Sequence, residues 1–411
     1  MGSPIISGGS NGVVLASYIS QKLRAATEGE FGREADAAYN LRYHHTSDLW
    51  DSNTLQFQTT QATCSQISDT FSVEEGTSYR ATPPNTPPPL SRQQNITMAP
   101  NVPSSGVWVP AVTFFDPKSG RLDLQAQRKY FTYLKSTGLA GIVVLGSNAE
   151  ALLLTRDERI AMTVCARQAV GPDYPLMVGV SGFSVIQVQE YIDDAKKAGA
   201  DYGLLLPSAY YGPATTKDIV YGFYDEVAKT SPLPIVIYNF PGVANGVDLD
   251  SVTISALAKA NPGKIVGVKL TCGSVAKITR LSAELPPEDF ATFAGQADFL
   301  IGGLASGSSG CVTGFGNIFP KTVVKIYNLY QEGKYKEALD LHRKAALAES
   351  PVKAGIASVK YAVSQYSAVA AGIEDAESKL APRKPYVPVA DAVKENIKKT
   401  MGSVAEIEKS L

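Results

Sequence analysis

The chain has 411 residues and a mass of 43.7 kDa, and 44% of its residues are hydrophobic, enough for one large domain or two or three ordinary ones. Its 38 basic residues are nearly balanced by 39 acidic residues, so the formal net charge is −1. This balance argues against binding to nucleic acid or to an anionic membrane through overall charge, and it favours a small neutral or weakly anionic partner.

Cysteines and histidines are too few and too scattered for the common metal and nucleophile sites. The four cysteines include no CxxC pair, so we expect reduced thiols rather than a disulfide framework or a zinc site. Three histidines occur in the whole sequence: His44, His45 and His342. A Ser-His-Asp triad and a multi-histidine metal centre are therefore nearly excluded, and His342 is expected on a surface helix.

Residues 1–100 are expected to form a disordered N-terminal extension. Ser, Thr, Gln, Asn and Pro dominate residues 52–97, a composition that cannot support a packed core. No apolar run approaches the roughly 20 residues needed to span a bilayer, so we expect no membrane segment. Lys22 and Arg24, with no acidic residue before Glu28, give a faint resemblance to a transit peptide. A cytoplasmic location is expected, with a mitochondrial one as the alternative.

From Gly106 onward, short runs rich in Val, Ile and Leu alternate with amphipathic stretches, a pattern typical of buried parallel strands joined by helices. The predicted strands are Val107–Thr113, Gly141–Leu145, Leu176–Val180, Tyr202–Leu206, Ile235–Asn239, Ile265–Leu270, Phe290–Ala294 and Gly310–Gly314. Eight strand–helix units within residues 101–320 match a (β/α)8 TIM barrel, so the predicted class is α/β. An open doubly wound sheet is the alternative, although no GxGxxG motif follows the first strand.

Sequence signals also mark helix ends. Thr155 to Glu158 reads as a capping box, and Ser184 begins a second helix that Gly199 ends. Beyond Pro320, apolar residues at helical spacing predict a C-terminal helical region over residues 321–411. These helices are expected to pack either on the barrel or on another subunit.

Lys269 is the most informative single residue, because it lies in an otherwise apolar strand. The two-residue period of a strand places it on the same face as Gly267 and Thr271. The opposite face holds branched aliphatic residues: Val266, Val268 and Leu270. We expect that face to meet the helices and Lys269 to point into the barrel, where lost hydration favours the neutral amine needed for a Schiff base. A lysine that reaches solvent or a structural carboxylate is the alternative.

Two further features lie at the ends of neighbouring predicted strands. Adjacent parallel strands are about 4.8 Å apart, so the hydroxyl of Tyr238 can approach the Lys269 amine and relay protons. The turn Gly146–Glu150 offers backbone N–H groups and short polar side chains to a substrate carboxylate. Taken alone, the first is equally a packing residue and the second a plain strand-to-helix turn.

Together these features resemble one family. Gly146–Glu150 matches a G-x-x-x-E loop, Tyr238–Pro241 a Y-N-x-P motif, and Gly267–Thr271 a G-x-K-x-[ST] lysine strand. Their order and spacing resemble the dihydrodipicolinate synthase/N-acetylneuraminate lyase superfamily of pyruvate-handling class I aldolases. The resemblance extends from about Gly106 to Pro388.

The resemblance implies specific roles for the residues that match. Lys269 would form the Schiff base with a small-molecule 2-oxo acid, and Tyr238 would shuttle protons. The substrate would be bound by a further set of residues: Ser147 and Asn148 at its carboxylate, with Thr271 and Val312. The reaction implied needs no metal and no cofactor.

The resemblance also implies a homo-oligomer, a dimer of dimers. In such enzymes a tyrosine enters the site of a neighbouring subunit, and Tyr211 corresponds to that tyrosine. The spacing to the following proline departs slightly from the family pattern, so Tyr210 stays open as the alternative.

Departures from the family pattern narrow the expected activity. Dihydrodipicolinate synthases have two threonines in the glycine loop and an arginine after Y-N-x-P, where this chain has Ser147, Asn148 and Val243. The chain is more similar to fungal L-threo-3-deoxy-hexulosonate aldolases of D-galacturonate catabolism, so the predicted reaction yields pyruvate and L-glyceraldehyde. A 4-hydroxy-2-oxoglutarate aldolase, yielding pyruvate and glyoxylate, is the alternative. A non-catalytic barrel that serves as a scaffold or binding protein is the alternative from another class.

Overall fold

The computed structural model describes residues 102–411, and the predicted N-terminal extension over residues 1–100 lies outside this range. The described residues contain eight strands: β1 Gly106–Pro110, β2 Gly141–Val144, β3 Leu176–Gly179, β4 Tyr202–Leu205, β5 Ile235–Asn239, β6 Ile265–Leu270, β7 Ala291–Ala294 and β8 Gly310–Val312. Neighbouring strands pair in parallel in chain order, and β8 pairs with β1 to close the barrel. The predicted TIM barrel and its strand positions are therefore confirmed, and an open sheet is excluded.

Helices follow the strands in alternation. Those of the barrel are α1 Leu124–Lys135, α2 Arg156–Val170, α3 Val185–Lys197, α4 Lys217–Thr230, α5 Ser251–Ala260, α6 Val275–Glu284, the short α7 Leu300–Ala305 and α8 Pro320–Gln331. Thr155 forms the predicted capping box with Glu158, and Ser184 caps α3 through the N–H of Gln187. These local signals fix where α2 and α3 begin.

The barrel interior is a packed apolar core. Trp108 is fully buried at its centre, with its ring edge-on to Tyr202 and Phe293 at centroid distances of 6.2 and 6.3 Å. Gly141 on the adjacent strand makes room for this indole, since a Cβ there would lie 2.3 Å from the Trp108 ring. A second, larger apolar layer fills the space between the strands and the surrounding helices.

The predicted two-residue alternation of β6 fails at Val266. Ile235 lies opposite Ile265, but Val236 lies opposite Gly267, so the register between β5 and β6 shifts by one residue. The extra residue, Val266, therefore packs with the interior cluster and not, as predicted, against the helices. Val268 and Leu270 face outward as expected.

The C-terminal helical region is present and packs on the barrel. It consists of α9 Tyr335–Glu349, α10 Ile356–Gln365, α11 Ser367–Ala370, α12 Ala376–Lys379 and α13 Asp391–Ser410. Helix α13 contacts α8, α9 and α10. Its Glu408 carboxylate accepts hydrogen bonds from the N–H groups of Lys321 and Thr322 at 3.0 and 2.7 Å, where α8 begins.

His342 was predicted on a surface helix, and it does lie on a helix outside the barrel, but its side chain faces inward. His342 lies on α9 but is buried, with Nε2 2.7 Å from the carbonyl oxygen of Ala297 in the loop after β7. The helix docks its polar side chain onto the barrel, which a sequence pattern for one helix cannot show. Across residues 102–411, none of the helices has the length and apolar character that crossing a bilayer requires.

Candidate active site

Lys269 and Tyr238 meet inside the barrel, near its carboxyl-terminal end. They occupy opposing register positions on the neighbouring strands β6 and β5. Lys269 is 3% exposed, and its Nζ lies 4.2 Å from the centroid of the Tyr238 ring. The predicted inward orientation of the lysine is confirmed. The amine is also shielded from bulk water, a condition that favours an imine over its hydrolysis.

The glycine loop approaches the same tyrosine. The hydroxyls of Ser147 and Tyr238 are 3.4 Å apart, so the loop and the end of β5 share one polar centre. Leu145 and Glu150, at φ of 59° and 56°, bracket the loop in the left-handed region that non-glycine residues rarely adopt. Thr113 fixes its far end by donating a hydrogen bond to the Ala149 carbonyl at 2.7 Å. Strain held in this way is characteristic of functional turns.

Three other predicted site residues surround this pair. Asn148 turns its amide toward the loop after β8, where a Cβ at Gly314 would come within 2.7 Å of Nδ2. Thr271 follows β6, and its buried Oγ1 has no hydrogen-bond partner among the described residues. Val312 is fully buried at the end of β8, opposite Trp108. Asn148 and Thr271 therefore lie beyond the carboxyl ends of their strands, whereas Val312 lies level with the interior Trp108.

A cavity of about 780 Å³ leads from solvent to this centre. Of the predicted residues, Ser147 and Tyr238 line it, whereas Lys269 does not line it and contacts the Tyr238 ring. The outer walls are mostly aliphatic and include the C-terminal segment that contains Pro385 and Val389. The cavity is larger than pyruvate requires, so it has room for a longer 2-oxo acid.

Sequence reasoning missed a hydroxyl in this cavity. Ser181, in the loop after β3, lines the wall beside Ser147 and accepts the N–H of Leu206 at 2.9 Å. That bond uses an acceptor position of the hydroxyl and leaves its hydrogen available to a ligand. A serine in the loop after a strand gives no distinctive sequence signal, which explains why it escaped notice.

A buried ion pair behind the glycine loop was also missed. Lys360 on α10 is fully buried and donates to Glu150 Oε1 at 2.5 Å. The other oxygen of Glu150 accepts the backbone N–H of Arg383 at 2.7 Å, and the guanidinium of Arg383 binds both carboxylate oxygens of Glu158 at 2.6 Å. The lone charge of Lys360 in the apolar run of α10 was the available sequence signal.

Asn239 of the Y-N-x-P motif has a structural role here. Its Nδ2 donates to Asp248 at 2.7 Å and its Oδ1 accepts the N–H of Leu249 at 3.0 Å. The side chain therefore closes the loop after β5 rather than pointing at the lysine. Lys277 forms an ion pair with the same Asp248 and so helps to hold this loop.

The two candidate intersubunit tyrosines lie on the surface. Tyr210 and Tyr211 are 67% and 77% exposed, and their rings meet edge-to-face at 5.3 Å. Phe183 packs against Tyr210 at 5.6 Å and is itself exposed. Neither tyrosine lines the cavity of its own chain. Within the described range, residues 102–411, no group of three or more His, Cys, Asp or Glu residues could hold a metal ion.

The fold is a closed (β/α)8 barrel, and a buried lysine faces a tyrosine at its carboxyl-terminal end. These features are typical of TIM-barrel enzymes that use an active-site lysine. Residues 103–404 match the model of the dihydrodipicolinate synthetase family, and the chain belongs to that family. Its relatives are named as aldolases, lyases and synthases, so it is a carbon–carbon lyase of the class I aldolase type.

Two curated relatives illustrate the similarity. A protein of Coccidioides immitis (strain RS), which bears the name of a mitochondrial 4-hydroxy-2-oxoglutarate aldolase, is 59% identical over 314 residues, covering 76% of this chain and 100% of that protein. The L-threo-3-deoxy-hexylosonate aldolase of Hypocrea jecorina is 35% identical over 326 residues, again covering 76% of this chain and 100% of the relative.

Solved structures agree with this assignment. A dihydrodipicolinate synthase family protein from Coccidioides immitis matches with a TM-score of 0.72 and 57% identity, covering 76% of this chain and 99% of that one. A monomeric dihydrodipicolinate synthase variant matches with a TM-score of 0.67 and 25% identity, covering 75% of this chain and 99% of that one. That variant is the first monomeric one characterised, so the number of subunits varies among dihydrodipicolinate synthases.

Proposed function

We propose that the protein is a Schiff-base aldolase that cleaves a 4-hydroxy-2-oxo acid and releases pyruvate. The observation that carries this proposal is the position of Lys269, buried inside the barrel with its amine over Tyr238 and with Ser147 at the tyrosine hydroxyl. A lysine without a carboxylate partner among the described residues, placed beside a proton-relay group, is suited to attack a carbonyl carbon.

Bond making and breaking follow from that placement. Neutral Lys269 adds to the C2 carbonyl, and the adduct takes up a proton from the Tyr238 relay and loses water, which gives an iminium ion. The C4 hydroxyl then loses its proton to the Tyr238 relay, the C3–C4 electron pair moves into the iminium, and an aldehyde departs. The enamine left on Lys269 takes a proton at C3, and hydrolysis of the resulting imine releases pyruvate and regenerates the amine. The iminium supplies the electron sink throughout.

The glycine loop is the proposed carboxylate site. Ser147 and Asn148 begin a one-turn helix, where the first N–H groups have no intrahelical acceptor. The C1 carboxylate of the substrate can bind there while C2 faces Lys269. Thr271 and Ser181 offer further hydroxyls along the chain of the substrate.

Two substrates share this chemistry and differ beyond C4. The 59% identical relative favours 4-hydroxy-2-oxoglutarate, with glyoxylate as the second product. The 35% identical relative supports L-threo-3-deoxy-hexulosonate, the first choice from sequence, with L-glyceraldehyde as the second product. We place 4-hydroxy-2-oxoglutarate first because of the higher identity over the same length of chain.

A direct test combines trapping and turnover. Borohydride added with pyruvate should reduce an imine to one stable adduct, and peptide mapping should place it on Lys269. The two substrates are then compared by kcat/KM for pyruvate release, and the larger value identifies the branch. Absence of an adduct would refute the aldolase and favour a non-catalytic barrel, whereas an adduct on Lys264, the lysine just before β6, would refute the assignment of Lys269.

Assembly and location belong to the same proposal. The exposed pair Tyr210 and Tyr211 supports a homo-oligomer in which one of them reaches a neighbouring site. For location, two relatives have names that include the mitochondrion, which favours the mitochondrial alternative over the cytoplasmic expectation. Fluorescent fusions of the full chain and of a variant without residues 1–97 distinguish the two, because import through an N-terminal signal requires the longer form.

A further inference from the structure

Glu349, the last residue of α9, reaches the barrel end that holds the site. It is 4% exposed, and one carboxyl oxygen, Oε1, accepts the N–H of Ala297 at 3.2 Å and the hydroxyl of Thr313 at 3.4 Å. Ala297 lies in the loop after β7 and Thr313 immediately follows β8. One side chain from outside the barrel therefore ties the ends of two strands together.

The loop that Glu349 holds presses directly on Thr271. A Cβ at Gly295 would lie 2.2 Å from Thr271 Oγ1 and 2.5 Å from its Cα, so the two backbones are in contact at this glycine. Thr271 is two residues beyond Lys269 on the same strand end. A displacement of residues 295–298 must therefore move Thr271 or open a gap beside it.

Buried polar atoms that lack a hydrogen-bond partner cluster around this loop. Among residues 102–411, three buried side-chain oxygens or nitrogens have no hydrogen-bond partner: Thr271 Oγ1, Asp298 Oδ1 and Glu349 Oε2. The threonine hydroxyl lies beside the lysine strand. The other two are carboxyl oxygens, and a protonated carboxyl can donate to an unpaired carboxylate oxygen.

Several titratable groups surround Glu349. Asp298 lies in the same loop and is paired with Lys353, which follows α9 and also donates to Gln296 at 2.8 Å. His342, about two turns earlier on the same face of α9, binds the Ala297 carbonyl, and the thiol of Cys311 on β8 is within electrostatic range of both Glu349 and Lys269. Burial, and next the negative charge of Asp298, raise the pKa of Glu349 to about 7.

We propose that Glu349 is a positioning residue of the active site, whose protonated carboxyl holds the loop after β7 against Thr271 and whose deprotonation loosens it. The inference rests on the proposed function, because it assigns Thr271 to substrate binding. Below neutral pH the neutral carboxyl lies beside Asp298 without repulsion. Above neutral pH the ionised Glu349 is repelled by the charge of Asp298, which Lys353 offsets only in part, and the loop that carries Asp298 is pushed away from Thr271.

The effect is expected on substrate binding rather than on the bond-breaking step. If only the protonated form presents Thr271 correctly, the apparent KM for the 2-oxo acid rises about tenfold from pH 6 to pH 8. The turnover number should not show this step, because the proposal places Glu349 behind the substrate-binding residue Thr271 and not at the reacting atoms. A residue that is merely structural would instead change stability and leave the pH profile of KM in place.

The test uses three variants of the full chain and measures KM and kcat at several pH values between 6 and 9. Glu349→Gln keeps the shape of the neutral carboxyl, so its KM should be the same at both ends of that range within about twofold. Asp298→Asn removes the charge that opposes ionisation, so its KM transition should move to lower pH. Glu408→Gln is the matched control, because Glu408 is also a buried carboxyl but lies on α13 beside Thr322. It should keep the wild-type profile.

A Glu349→Gln protein whose KM still rises about tenfold by pH 8 would overturn the inference. If that variant does not fold, as judged by circular dichroism and thermal unfolding, an unshifted midpoint in Asp298→Asn would overturn it equally. Borohydride trapping of pyruvate on the wild-type chain distinguishes a failure of the proposed function from a failure of the role proposed for Glu349. Failure to trap refutes the proposed function, whereas normal trapping with an unchanged KM profile refutes the role of Glu349 alone.

Discussion

Replacing Lys360 with Met tests how the C-terminal region supports the glycine loop. The substitution removes an ammonium that is 0% exposed and leaves Glu150, also buried, with the backbone N–H of Arg383 as its remaining partner. Breaking a buried pair by removing one member costs about 3–5 kcal/mol, because the charge left behind has lost both water and its counter-ion. For a folded unit of this size the melting temperature should fall by roughly 10 °C.

The same variant should lose substrate affinity. Glu150 ends the loop that carries Ser147, and its left-handed backbone is held only by its surroundings. Once the carboxylate is released from Lys360, the loop can leave that conformation, so KM for the 2-oxo acid should rise more than kcat falls. The measurement is thermal unfolding together with steady-state kinetics on the same preparation.

Two companion variants sharpen this result. Lys409→Met breaks an ion pair with Glu406 in which both side chains are largely exposed, and it should change the unfolding free energy by less than about 1 kcal/mol. The double variant Glu150→Gln with Lys360→Met buries no charge, so it should be more stable than Lys360→Met alone. The reasoning would be refuted if Lys360→Met changed the unfolding free energy as little as Lys409→Met does. It would also be refuted if the double variant were less stable than Lys360→Met.

The pair also predicts a pH dependence of stability. Burial lowers the pKa of Lys360 to about 8 from 10.5 although Glu150 opposes this, so the group is an ammonium at neutral pH and loses its proton at lower pH in the folded than in the unfolded chain. When folding lowers the pKa of a lysine, its contribution to stability is fully present at pH values above the pKa in the unfolded chain. The contribution is lost as the pH falls through the pKa in the folded protein. The unfolding free energy of the wild type should therefore gain about 3 kcal/mol from this group between pH 8 and 10.5. Lys360→Met should lack that rise.

Three further predictions concern the reaction and the assembly. Tyr238→Phe should keep the fold and lower kcat by roughly 10²- to 10⁴-fold, the usual effect of a lost proton relay, and near-normal turnover would make the residue a packing group. Tyr211→Phe should impair turnover without unfolding the barrel, and a variant that begins at Met98 should keep activity and subunit number; a fully active monomer would remove the intersubunit role. EDTA should leave kcat unchanged, since the iminium supplies the electron sink, and a metal requirement would contradict that chemistry.

Local sequence patterns were enough to predict most of the barrel. Strand runs bounded by turns located β1–β8 to within a few residues, and caps located the starts of α2 and α3, because both signals depend on neighbouring residues alone. The pairing of Lys269 with Tyr238 followed from strand order and alternation. Val266 did not follow, since a one-residue shift between β5 and β6 is set by how two strands fit and leaves no mark within either one.

The supporting side chains were out of reach for a different reason. Lys360, His342 and Glu349 lie on helices whose own patterns predict helices and nothing more. Their partners, Glu150 and the loop at Ala297, are supplied by how α9 and α10 dock on the barrel. Helical periodicity says which face is apolar, but it does not say where a buried charge on that face will arrive.

The bonds that secure the glycine loop also bear on the order of folding. Glu150 and Lys360 are 210 residues apart along the chain, and Glu158 and Arg383 are 225 apart. Contacts between such distant segments form late, because the intervening chain must first be ordered. Apart from the β8–β1 closure, the strand pairs join segments that are closer in the chain, so they can form while the turn at Ser147 is still unset. During refolding, recovery of catalytic turnover should lag behind recovery of the circular dichroism signal.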